Sequence, residues 1–147
     1  MRQQFQWLVG GVVASVALVL GCSEAKDPSK KETIPIKGEV VVDGVPAAGV
    51  LVQLFTAQDI STRTGSLSIG STDDQGKFEI GTYSQGDGAP PGDYSVTFSW
   101  PAMQMSQERE APDRLKNRYK DPSKSTFKIT VASDKPVDMG KVELTTK

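Results

Sequence analysis

Residues 36–55, IKGEVVVDGVPAAGVLVQLF, constrain the fold more than any other stretch of the chain. Two apolar, β-branched runs flank Asp43-Gly44 and the Pro46 to Gly49 loop. Ile36, Gly38, Val40 and Val42 fall on one side of a pleat, and Val50, Val52 and Leu54 do the same in the second run. Period-two alternation bounded by Gly and Pro predicts half-buried strands, here joined as a hairpin. A lone hairpin is marginal in water, so later segments must cover its apolar face.

The later segments supply such strands. Residues 64–72 alternate with Leu67 and Ile69 on one side, which suits an edge strand. Asp73 to Gly76 forms a turn, and residues 77–82 carry Phe78 and Ile80 inward. A Gly/Pro-rich loop fills 83–92. Residues 93–100 place Tyr94, Val96, Phe98 and Trp100 opposite Ser95, Thr97 and Ser99, and Pro101 stops the strand. Residues 125–131 turn Phe127, Ile129 and Val131 inward, and residues 140–144 turn in Val142 and Leu144. Seven short strands separated by turn signals predict an all-β sandwich. In the polar insert 101–124, Pro112 and Asp113 suit the first turn of a short helix before strand six. Helical spacing would put Leu115 and Tyr119 on one packed face. It would leave Arg114, Lys116, Arg118 and Lys120 as a basic patch able to meet an anionic partner.

The 147-residue chain suffices for one domain. Its net charge of −1 gives no field that favours nucleic acid. It has no histidine, which removes the commonest general base and zinc ligand and every Ser-His or Cys-His pair. No catalytic residues, cofactor or metal are expected. Asp73, Asp74 and Asp87 suit turns better than a calcium site, and Met103 and Met105 are thin as copper ligands. Ser125 beside Lys124 has the wrong geometry for a nucleophile pair, because adjacent strand residues face opposite ways. Trp100, Tyr83 and Tyr119 are the aromatics that an alternative role, carbohydrate or peptidoglycan binding, would use.

The N-terminus is a separate unit. Arg2 precedes an uncharged apolar run, residues 8–20, shorter than the ~20 residues that span a bilayer. The run ends in Val19-Leu20-Gly21-Cys22. That tetrapeptide resembles the lipobox of bacterial lipoproteins, with a bulkier middle residue than usual. The resemblance implies a signal peptide over residues 1–21, with diacylglycerol and an acyl chain such as palmitate added at Cys22. Ser23 resembles the residue that directs lipoproteins of two-membrane bacteria to the outer membrane, with the domain in the periplasm or on the cell surface. Residues 22–33 lack large apolar side chains and are expected to be a flexible tether to a domain over 34–147.

Within that domain, three motifs occur in order. They are Gly38-x-Val40 with Asp43-Gly44-x-Pro46 and Gly49-Val50-x-Val52, then Thr72-Asp73-Asp74-x-Gly76-x-Phe78, then Pro91-Gly92-Asp93-Tyr94-x-Val96. Together they resemble the carboxypeptidase regulatory-like domains of transthyretin-like (prealbumin-like) fold. The resemblance implies a seven-stranded Greek-key sandwich without catalytic residues. Pro91-Gly92 suits a type II turn, and Gly76 a positive φ. The chain then reads as a lipid-anchored, non-catalytic structural or interaction module of the cell envelope, meeting an unknown envelope protein or polysaccharide.

Overall fold

The computed structural model of the chain describes residues 28–102 and 111–147. The expected signal peptide, Cys22, Met103 and Met105 lie outside the described residues. Among the described residues, eight strands form two sheets, and one short helix lies between two strands of the second sheet. The first sheet centres on β1 (Ile36–Val42). One edge of β1 pairs with β2 (Val45–Pro46) and β5 (Lys77–Glu79), and the other pairs in parallel with β8 (Val137–Leu144). The second sheet runs β4 (Ser68–Ser71), β3 (Leu51–Phe55), β6 (Gly92–Ser99) and β7 (Lys128–Val131), all antiparallel. Val40 and Val42 from the first sheet share one core with Val52, Leu54, Val96 and Phe98 from the second.

All seven expected strands are present, but the first two are not a hairpin. Asp43 (φ 51°) and Gly44 (φ 86°) reverse the chain with the double positive φ of a type I′ turn. The strand that returns is the two-residue β2, with Val42 opposite Val45. The chain then crosses to the other sheet before β3 begins. Thr72 ties down that crossing: its buried hydroxyl donates to the Ala47 carbonyl at 2.6 Å and accepts the Val50 N–H at 2.8 Å. The inward alternation of both runs is therefore real, but their faces meet across the sandwich rather than side by side.

Two turn assignments also change. Gly76 has the expected positive φ of 77°. Gly92, in contrast, already belongs to β6 at φ 157°, nearly extended, so Pro91-Gly92 is not a type II turn. Tyr94 still buries its ring, and its hydroxyl donates to the Pro90 carbonyl at 2.8 Å. Burial holds that phenol above its ordinary pKa.

The helix expected in the insert is absent from the described residues. The one helix present is α1 (Ala57–Thr62), opened by a capping box. The Thr56 hydroxyl accepts the Asp59 N–H, and the Asp59 carboxylate accepts the Thr56 N–H. In the insert, Asp113 forms an Asx turn instead of serving a helix dipole. Its carboxylate accepts the N–H groups of Trp100 (2.7 Å), Leu115 (3.0 Å) and Asn117 (2.9 Å). Lys116 (φ 56°) and Asn117 (φ 57°) are left-handed, which no continuing α-helix allows. Leu115 is nonetheless fully buried, and Tyr119 packs against the core, as expected from a helix that did not form. Asp113→Ala should lower unfolding stability by about 2 kcal/mol in urea denaturation, and Asp113→Asn by less, because the amide oxygen keeps one acceptor.

Candidate functional site

Among the described residues, a groove of about 1090 Å³ opens on the outward side of the sandwich. It exists because the two sheets meet at one edge. Ile69 of β4 and Gly81, just after β5, exchange backbone hydrogen bonds at 2.9 Å. Gly70 is indispensable there, since a Cβ would overlap the Glu79 carbonyl oxygen. The groove floor carries Lys37, Glu39, Lys77 and Glu79, which alternate with the inward residues of β1 and β5. A register shift between Lys37 and Glu39 in the β1–β8 pairing brings Asp138 and Lys141 to the same surface. Lys37 and Asp138 form an exposed ion pair at 3.6 Å, worth at most about 1 kcal/mol.

One wall is apolar. Antiparallel pairing of Ile69 with Gly81 sets Leu67 opposite Tyr83 on the same outward face. Their fractional exposures are 77% for Leu67, 41% for Ile69 and 37% for Tyr83. The alternation in residues 64–72 was legible, but these two aliphatic side chains face out, while Ser68 and Gly70 face in. Buried Ser68 shares a 2.7 Å hydrogen bond with Thr82, which explains a polar residue on the inner face. The loop that follows is fixed by Asp87, whose carboxylate accepts the N–H groups of Thr82, Tyr83 and Ser84.

The chain that leads into the domain also lies on this wall. The Lys31 N–H donates to the Tyr83 hydroxyl at 3.2 Å, and the Lys30 ammonium sits 5.7 Å from the Tyr83 ring centre. Ile34 then pairs with Ala89. Residues 30–33, expected to be free tether, are held against the domain.

The residues singled out from the sequence are not gathered into one place. Asp73 accepts the Gln75 and Lys77 N–H groups, so it and Asp87 both serve turns. No group of three or more Cys, Asp or Glu side chains among the described residues is placed to hold a metal. The Ser125 hydroxyl donates to the Val96 carbonyl, and Lys124 pairs with Asp121 at 3.4 Å. Of the three aromatics, only Tyr83 lines the groove. Trp100 donates to the Ala48 carbonyl at 2.9 Å, and Tyr119 accepts the Thr145 N–H at 3.1 Å. Of the basic set, Arg114, Lys116, Arg118 and Lys120 are all exposed, but the absent helix removes their i,i+4 pairing. Arg114 lies 4.8 Å from the Trp100 ring centre, and Arg118 donates to the Lys147 carbonyl. At the same end, Thr145 and Thr146 hydroxyls donate to Asp43 at 2.9 and 2.6 Å and hold its carboxyl below the usual range.

No protein-family model matches the chain, and no curated protein matches it. Among solved structures, a DUF3823 family protein from Bacteroides ovatus is 16% identical with a TM-score of 0.42, over 76% of this chain and 44% of its own. A DUF3823 family protein from Parabacteroides merdae is 10% identical with a TM-score of 0.39, over 79% of this chain and 46% of its own. A 9R-lipoxygenase from Cyanothece is 13% identical with a TM-score of 0.42, over 77% of this chain and 16% of its own. The chain thus spans less than half the length of each of these neighbours. Likeness at this level carries no functional argument.

Proposed function

We propose that this chain is a lipid-anchored, non-catalytic module of the cell envelope, and that its outward groove is the surface that meets a partner. In this reading the two sheets are a transthyretin-like sandwich, and Cys22 carries the lipid. The supporting observation is how the polar side chains divide. Thr72, Asp73, Asp87, Asp113 and Ser125 spend their oxygens on backbone groups and hold loops in shape. Lys37, Glu39, Lys77 and Glu79 instead line an open concavity. Mixed charge on a rigid floor suits recognition of a polar or zwitterionic segment rather than bond breaking.

The test has two arms. Intact-mass analysis of membrane-extracted protein should show a chain starting at Cys22 with a diacylglycerol and an acyl chain added. A photo-crosslinking residue at Lys77 in the groove should capture an envelope component that the same residue at Asp134, a turn outside the groove, does not. A mature chain beginning elsewhere defeats the anchor, and equal capture from both positions defeats the groove.

A further inference from the structure

We infer that the wall formed by Leu67, Ile69 and Tyr83 rests on the lipid bilayer and orients the domain there. The inference deepens the proposed function and rests on its reading of Cys22 as the lipidated residue.

Three of the four most exposed large apolar side chains among the described residues lie together on this wall. They share one outward face because β4 and the segment after β5 are in antiparallel register there. The fourth, Val45 (64% exposed), lies beyond the C-terminal end of β1. The wall belongs to the opposite end: the Ile80 N–H donates to the Ile36 carbonyl at the start of β1.

The incoming chain selects between these two ends. Lys30 and Lys31 are fastened to Tyr83 itself. Cys22 precedes Lys30 by eight residues (30 − 22), which even fully extended span at most about 29 Å. A lipid on Cys22 therefore keeps this wall, and not Val45, within that distance of the membrane.

The wall's chemistry suits the interface. Leu67 and Ile69 offer aliphatic surface, and Tyr83 is an amphipathic ring of the kind enriched at headgroup depth. Lys30 and Lys31 stand beside it to meet lipid phosphates, as juxtamembrane lysines do. The nearby Asp87 carboxylate is turned into three backbone N–H groups rather than toward this face.

The test uses the full lipidated chain in vesicles of phosphatidylcholine and phosphatidylglycerol, with a polarity-sensitive fluorophore on Leu67→Cys or Val45→Cys. Both positions are exposed enough to accept the label without disturbing the core. The label at position 67 should shift to the blue and brighten several-fold, while the label at position 45 should stay aqueous. Flotation with the vesicles reads the anchor separately. Protein that fails to float refutes the anchor and the inference with it. Protein that floats while the position 67 label stays aqueous refutes the inference alone. A position 67 label shielded only after envelope proteins are added also refutes it, and assigns the wall to a protein partner.

Discussion

A chain carrying Phe98→Asp should not fold. Phe98 is fully buried near the C-terminal end of β6, directly across from Val52 of β3. Its ring meets Phe127 edge-on, with centroids 5.2 Å apart. A carboxylate here would enter a cluster of valines, leucines and aromatic rings. Burying an unpaired charge costs at least several kcal/mol, comparable to the roughly 5–15 kcal/mol that holds a domain together. Val52→Asp should do the same from the opposing strand. Far-UV circular dichroism should lose the β signal in both, whereas Phe98→Leu, which only shortens the apolar contact, should fold with a loss of about 1–2 kcal/mol. A native β spectrum for either aspartate variant would show that the core lies elsewhere.

Gly88→Ala should release the incoming chain from the domain. Gly88 sits at φ 89°, and a Cβ there would overlap the Ile34 carbonyl. Backbone, not a movable side chain, stands in the way. The Ile34 N–H donates to the Ala89 carbonyl at 2.9 Å, and the Ala89 N–H returns the bond at 3.1 Å. Left-handed strain and overlap together should cost about 2–4 kcal/mol, met most easily by opening this bridge. Trypsin should then cut after Lys30 or Lys31 at least about tenfold faster, since each 1.4 kcal/mol changes the open population about tenfold. Unchanged cleavage would mean that the segment is not held there. Released, residues 30–34 would no longer hold the Leu67 wall to the tether, so the same variant also loosens the orientation inferred above.

The sequence reported side-chain alternation faithfully, because burial on one face imposes it locally. Val40, Val52, Phe78, Val96 and Val142 all face the core as their spacing requires. It misled about which strand lies beside which, because alternation is the same whether two strands pair or face each other across the core. The insert shows a different limit. Pro112-Asp113 satisfies the rules for a helix start, yet the Asp113 carboxylate finds the Trp100 N–H on a strand end that helix rules do not consider. The helix that did form carried its signal openly in Thr56-x-x-Asp59, the capping box. The groove left no mark in the sequence. It depends on the contact between Ile69 and Gly81, on glycines that permit close approach, and on a register shift between strands far apart in the chain.

The parallel pairing of β1 with β8 bears on how the molecule is made. Ile36 lies beside Val137, 101 positions later (137 − 36). The first sheet therefore lacks one whole flank until β8 has left the ribosome. Closing so long a loop is slow compared with forming local structure. Until β8 emerges the nascent sheet stays unfinished, with β1 waiting for its neighbour. In the exported, lipid-anchored reading proposed above, late closure would be an advantage: a secretion channel would receive a chain it could still pull, and the sandwich would lock only on the far side.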